Sequence, residues 1–197
     1  MADKFEQKIY IDLICYPLYS LGPKKRVGVW FQGCNIGCSG CISKYTWNQT
    51  EDKLKSIDEV IDKIKSADTN RLTISGGEPF MQADALFLLL KNVRDKFDDI
   101  LVYSGYKYEY LNSKYSDILD LIDVLIDGEY IESLATNSGY KGSSNQRVIM
   151  FNKDLLDDYC DYLANPVHKM QVHTTKSDLY LLGIPKKDDI QKIKSIV

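Results

Sequence analysis

The spacing of apolar positions changes along the chain, and each change marks an element. Residues 8–15 (Lys-Ile-Tyr-Ile-Asp-Leu-Ile-Cys) alternate loosely and stop before Pro17, which predicts a strand. Residues 26–32 (Arg-Val-Gly-Val-Trp-Phe-Gln) are β-branched and aromatic and predict a second. Beyond them no period survives, and Gly33, Gly37 and Gly40 make residues 33–47 a loop. Ile57, Val60, Ile61 and Ile64 then share one helical face, behind Ser56 and Glu59 at capping-box spacing. Residues 71–75 read as a short strand running into Gly76-Gly77, and Leu86, Leu89, Leu90, Val93 and Phe97 recur at helical spacing after it. A strand over 99–104 follows. Ser116 is placed to cap a helix through Ile118, Leu119 and Ile122, and residues 124–127 form a strand ending at Gly128.

Strands and helices therefore alternate from about 56 to 128, the pattern of βαβ units around a parallel sheet. The tail reads differently: a helix over 154–163, a hairpin over 170–183 turning at Lys176-Ser177-Asp178, and a charged helix over 185–196. No repeat, low-complexity tract or Pro/Gly/Ser-rich linker interrupts the chain. One domain is expected over 1–197, with a core at about 8–150 and a C-terminal extension at about 151–197.

Charge narrows the function. Lys plus Arg is 25 and Asp plus Glu 28, a net charge of −3, so no footprint for a nucleic-acid backbone is expected. No apolar run reaches the roughly 18 residues of a membrane span. Met1-Ala2-Asp3-Lys4 lacks the apolar stretch of a signal peptide, and a cytoplasmic location is expected. Five cysteines are an odd number for a disulfide framework, and in a reducing compartment thiols serve metals or catalysis more often than cross-links.

Three of those cysteines, Cys34, Cys38 and Cys41, stand within eight residues in the spacing C-x3-C-x2-C. Soft thiolates bunched on a flexible loop suit zinc or an iron–sulfur cluster. Structural zinc wants a fourth protein ligand. Cys15, Cys160, His168 and His173 are the candidates, all remote from the loop. A four-iron cluster on three cysteines instead leaves one iron open to a small molecule. The second motif is Ser75-Gly76-Gly77-Glu78-Pro79, between a strand and a helix. Paired glycines let backbone and ligand approach closely, and ligands of parallel α/β sheets sit at C-terminal strand ends.

Together these residues resemble the radical S-adenosylmethionine enzymes, and more narrowly the subgroup that activates anaerobic ribonucleotide reductase. Gly33-Cys34, Cys38-Ser-Gly-Cys41, Lys44-Tyr-Thr-Trp47, Ser104-Gly-Tyr106-Lys107, Val124-Leu-Ile-Asp127-Gly128 and Gly142-Ser-Ser-Asn-Gln146 match the subgroup in order, over roughly residues 12–147. Gly40 stands where most of the superfamily has an aromatic residue, as it does in the subgroup; Ser43 replaces a common Asn. An insertion around 18–25 and the tail beyond Phe151 have no counterpart in the pattern.

The resemblance implies that Cys34, Cys38 and Cys41 hold a [4Fe–4S] cluster whose open iron is chelated by the amino and carboxylate groups of S-adenosylmethionine. It implies that Gly76, Gly77 and Glu78 line the methionine amino group, that Gly40 and Ile42 lie along the adenine, and that Ser104 and Asp127 reach the carboxylate or ribose. One electron, usually from a flavodoxin or ferredoxin, would cleave the cofactor to methionine and a 5′-deoxyadenosyl radical. In the subgroup that radical takes hydrogen from a glycine Cα of a large partner, a glycyl-radical enzyme such as anaerobic ribonucleotide reductase. A complete eight-unit barrel takes about 250 residues, so the implied fold is a truncated, laterally open (β/α) barrel with a helix-and-hairpin extension.

Several residues carry two readings. Cys15 and Cys160 sit in apolar segments and read as small buried hydrophobes; His168 and His173 read as surface or hairpin positions. Trp47 either shields a cluster or packs the loop. Asp127 is a cofactor contact or a buried strand-end cap, and Arg147 an anion contact or a solvated strand start. Tyr103, Tyr106, Tyr108 and Tyr110 form a docking surface or an amphipathic strand edge. Three functions compete: an activase acting on a protein partner, a radical S-adenosylmethionine enzyme modifying a small molecule or peptide, and a non-catalytic zinc or iron–sulfur module.

Overall fold

Seven strands make one open sheet in the computed structural model, which describes residues 7–164 and 170–186. They are β1 (Lys8–Leu18), β2 (Arg26–Phe31), β3 (Leu54–Ser56), β4 (Arg71–Gly76), β5 (Asp99–Tyr103), β6 (Val124–Asp127) and β7 (Arg147–Met150). Their order is β3-β1-β2-β4-β5-β6-β7. The four central strands, β2, β4, β5 and β6, run parallel, as the alternating pattern predicts. β1 is antiparallel to β2 and β3, and β7 is antiparallel to β6. The parallel steps are spanned by helices α1 (Ile57–Lys65), α2 (Ala83–Val93), α3 (Tyr108–Lys114) and α4 (Ser116–Leu119), whereas β1 turns into β2 through a short connection, which antiparallel pairing permits.

Alternation along the strands sorts the core into two faces. Val27, Val29, Phe31, Leu72, Ile74, Ile100, Val102 and Leu125 point to the face covered by α1 to α4. There Leu86, Leu89, Leu90 and Val93 of α2 are fully buried, each contributing about 1.5–3 kcal/mol. On the opposite face, Leu101, Val124 and Ile126 pack against Leu155 and against Tyr159 of α5 (Leu156–Ala164). Leu13, Cys15, Leu18 and Trp30 pack against Leu182 of a separate hairpin, β8 (Gln171–Thr174) with β9 (Leu179–Leu182).

The N-terminal strand ends on this second face are closed by charge. Arg26 is fully buried; its guanidinium bonds both carboxylate oxygens of Asp99 (2.6 and 2.9 Å) and the Thr73 hydroxyl. The Tyr159 hydroxyl donates to Asp99 at 2.9 Å, and Arg71 joins Asp99 to Asp158. Burial alone would push the Asp99 carboxyl up, but the donors from Arg26 and Tyr159 hold it below the ordinary carboxylate range. With the strand starts locked in this way, the C-terminal ends are left to carry chemistry.

Some local expectations change. Ser56 stands at the N-cap of α1 with extended backbone, but its hydroxyl makes no capping bond; the Ile57 amide bonds the Gln7 carbonyl instead, at 3.0 Å. The helix expected behind Ser116 is a single turn that includes Ser116 itself, with Tyr115 at its N-cap, and it ends at Leu119, before Ile122; α3 ahead of it was not expected. Phe97 lies past the end of α2 yet is buried. β3 is too short, and the β7 segment too briefly apolar, to stand out by periodicity. The tail helix and the hairpin form as expected, while the charged helix expected over 185–196 lies, from residue 187 on, outside the described residues. No helix among the described residues is long and apolar enough to cross a membrane.

Candidate radical-chemistry site

The cysteine loop leaves the C-terminal end of β2 and is closed at its neck by its own backbone. The Gly33 amide donates to the Thr46 carbonyl (2.7 Å) and the Cys34 amide to the Trp47 carbonyl (2.9 Å). Gly33, Gly37 and Gly40 all take positive φ (105°, 69° and 76°), which lets the loop reverse direction between its cysteines. Cys34, Cys38 and Cys41 carry free, half-buried thiols. Burial pushes the Cys38 thiol up, the Tyr130 amide pulls it down, and Cys41 and Cys34 push it up again, so the three thiols feel one another. Among the described residues no three His, Cys, Asp or Glu side chains converge on a position for a single metal ion. Trp47 is half-buried, with the Lys44 ammonium 5.7 Å over its ring.

The glycine pair sits against this neck. The Gly77 amide donates to Phe31 O and the Glu78 amide to Gly33 O, both at 2.8 Å. A Cβ on Gly76 would lie 2.4 Å from Phe31 O, and one on Gly77 2.2 Å from Gly33 O. The close approach that the glycines permit is thus, first of all, to the backbone that leads into Cys34. Glu78 is 1% exposed. Its carboxylate accepts from the Phe80 amide (3.0 Å), the Ser104 hydroxyl (3.0 Å) and the Gly105 amide (2.7 Å). Burial pushes this carboxyl up to about 7, against the pull of those donors. The β5 end also touches the cysteine loop: Tyr106 and Asn35 exchange hydrogen bonds at 2.8 and 3.0 Å.

Asp127, at the end of β6, is buried and accepts from the Tyr108 amide at 2.7 Å and from Arg147. Arg147 opens β7 and also bonds both oxygens of Glu109, holding that carboxyl down to about 2. Of its two sequence readings, the strand start is the one found, with carboxylate partners from the protein itself. Gln146 braces the loop after β6: its side chain accepts from the Gly142 and Ser143 amides and donates to Gly128 O.

Beside the cysteine loop lies a cavity of about 400 Å³. Its lining comes from Gly40, Cys41 and Ile42 of the loop, Trp30, Ser75 and Tyr103 of the sheet, Tyr130 and Glu132 after β6, and residues 181–185 of the tail. Gly76, Gly77, Glu78 and Ser104 gather at the adjacent strand ends, and Asp127 one strand further along. The strand-end position of Tyr103 was legible in the pattern; the tail's place in the wall had no local signal. Cys160 is exposed rather than buried, Cys15 is buried as expected, and His168 lies outside the described residues. The donor set fits an iron–sulfur centre with a ligand beside it: three soft thiols, an amide directed at one of them, and a chamber that opens onto Cys41.

A parallel-rich sheet with a three-thiol loop and a Gly-Gly-Glu turn at its C-terminal ends defines an iron–sulfur enzyme of the radical S-adenosylmethionine type. Residues 20–149 match the 4Fe-4S single cluster domain family. The chain is 32% identical over 134 residues to the anaerobic ribonucleoside-triphosphate reductase-activating protein of Enterobacteria phage T4, covering 64% of this chain and 85% of that protein. Against the protein of the same name from Escherichia coli K12 it is 33% identical over 137 residues, 64% and 89% of the two chains. Against the pyruvate formate-lyase-activating enzyme of Clostridium pasteurianum it is 30% identical over 185 residues, 89% and 71%. The chain belongs to the radical S-adenosylmethionine activating enzymes, and its cofactors are a [4Fe–4S] cluster and S-adenosylmethionine.

Proposed function

We propose that this enzyme activates a glycyl-radical enzyme, an anaerobic ribonucleoside-triphosphate reductase, with Cys34, Cys38 and Cys41 as the cluster ligands. The observation that carries the site is the pair of bonds from Gly77 and Glu78 to Phe31 and Gly33, which holds the glycine turn against the root of the cysteine loop. The relatives named for that reductase, matched over 85% and 89% of their length, favour the partner. When bound, the reduced cluster and S-adenosylmethionine supply a 5′-deoxyadenosyl radical that takes hydrogen from a glycine Cα.

The chain's own residues orient and shield. Gly76 and Gly77 present backbone beside the loop, where the methionine amino group is to be held. Glu78 and Ser104 clamp the ends of β4 and β5 so that this backbone does not shift. Gly40 and Ile42 line the cavity where the adenine is to lie. Asp127, already engaged by Tyr108 and Arg147, sets the position of the β6 end. Trp30 and Tyr103 keep water from the chamber. The open sheet is read as a truncated barrel in one domain, with flavodoxin or ferredoxin as electron donor. Free thiols suit a reducing, cytoplasmic setting.

The test mixes anaerobically reconstituted enzyme, reductant, S-adenosylmethionine and the reductase, and records electron paramagnetic resonance. A glycyl doublet on the reductase is expected. Cofactor cleavage with turnover of a small molecule or short peptide, and no doublet, would replace this reading.

A further inference from the structure

Part of the chamber wall is built by the tail, whose Tyr180 ring meets Tyr45 of the cysteine loop edge-on at 6.2 Å. Leu182, Gly183, Ile184 and Pro185 line the cavity, and they lie beyond the family match, which ends at residue 149. The cavity they close measures about 400 Å³. That is near the lower end of ligand pockets, about 300–1,000 Å³, so one cofactor-sized molecule would take up most of it, and a polypeptide segment would need the wall to give way.

The wall is held by a light seat. A two-stranded hairpin is marginal without support, so β8–β9 stays where its inner face holds it. That face carries Gln171, His173, Tyr180 and Leu182, paired across the strands as Gln171 with Leu182 and His173 with Tyr180. Leu182 is the fully buried side chain of the hairpin, set against Leu13, Cys15 and Trp30. Among the described residues, polar attachments include Gln171 Nε2 to Pro17 O and Cys15 Sγ, the Tyr19 amide to Gln171 Oε1, His173 Nδ1 against Cys15 Sγ at 3.4 Å, and Lys53 to the Tyr180 hydroxyl at 3.5 Å. The outer face leaves Val172 and Leu179 largely exposed, at 59% and 65%.

We propose that the β8–β9 hairpin is a displaceable wall of the substrate chamber: seated on β1, it encloses the cofactor alone, and the partner's polypeptide segment gains access to the chamber only when the hairpin lifts from Cys15. The inference rests on the activase reading and adds to it how the substrate segment is admitted. It gives the tail a part in selecting the substrate.

Cys15 reports the motion, because the seated hairpin covers its thiol. The experiment uses full-length holoenzyme carrying Cys160→Ser to remove the exposed thiol. N-ethylmaleimide labelling of Cys15 is followed by mass spectrometry, with anaerobic ribonucleoside-triphosphate reductase as the probe. Labelling is expected to be slow with S-adenosylmethionine alone and at least tenfold faster once the reductase is added. In a second variant, His173→Cys is joined to Cys15 by diamide, which takes the two thiol hydrogens as the disulfide forms. The locked enzyme should keep 5′-deoxyadenosine formation without partner within twofold, lose at least tenfold in glycyl-radical formation, and recover when a thiol reopens the bond. A glycyl doublet formed at the normal rate by the locked enzyme, or without faster Cys15 labelling, overturns the wall while leaving the activase reading intact. Loss of cofactor cleavage on locking also overturns it, since the seated hairpin would then exclude the cofactor too. Cofactor cleavage in the unlocked enzyme with neither doublet nor faster labelling removes the reductase as partner and the wall with it.

Discussion

The Glu78 amide donates to the Gly33 carbonyl at 2.8 Å, which ties the Gly-Gly-Glu turn to the residue immediately before Cys34. Two motifs more than forty positions apart in sequence are thereby one piece of backbone. Parallel pairing of β2 with β4 brings Phe31 opposite Gly76 and makes the contact inevitable. The loop that carries the thiols and the turn beside it cannot shift independently.

Gly77→Ala follows from this contact. The new methyl carbon would fall 2.2 Å from Gly33 O, a backbone atom with no rotamer to yield. A destabilisation of about 1–3 kcal/mol is expected, together with loss of iron, because the displaced residue adjoins Cys34. Thermal unfolding and iron analysis of the same preparation check both; an unchanged melting temperature with full iron would contradict the close packing.

Anaerobically reconstituted protein should hold about four irons per chain. Cys34→Ala, Cys38→Ala and Cys41→Ala should each abolish the cluster's visible absorption, whereas Cys160→Ala should leave it. Cys160 is exposed on α5, outside the cavity lining. Stoichiometric zinc without iron uptake in oxygen-free protein would count against the cluster.

Stability should fall with rising pH because of Glu78. Burial raises its carboxyl from 4.5 to about 7. Between those values the folded protein holds more protons than the unfolded chain, so this group's contribution drops across that window and is level on either side. At about 1.4 kcal/mol per pH unit the loss is on the order of 3 kcal/mol. Urea midpoints at pH 5 and pH 8 should differ more in the wild type than in Glu78→Gln, which cannot ionise; equal differences would show that the carboxyl does not titrate there.

Asp99→Asn should be costly. It leaves the fully buried Arg26 guanidinium without its counter-charge, and breaking such a pair costs about 3–5 kcal/mol. By contrast Asp95→Asn, which removes the exposed partner of Lys65, should change stability by less than about 1 kcal/mol. Denaturant titration of the two variants separates them; similar losses would mean that the Arg26 network is not a lock.

The sequence by itself determined the central parallel strands, because short apolar runs such as Val27–Val29 and Leu72–Ile74 are buried whichever neighbour they meet. It also carried the motifs of the proposed site, since Cys34, Cys38, Cys41 and the glycine pair are local patterns whose spacing is the signal. Arg26, Asp99 and Tyr159 are spread over more than 130 positions, and their buried cluster had no sequence signature. The same holds for the engagement of Asp127 by Arg147 and for the tail forming a wall of the chamber. Only tertiary structure decided these. A short polar or apolar segment carries the same pattern on an exposed hairpin as on one lying against a sheet, and its role is set by which distant surface desolvates it.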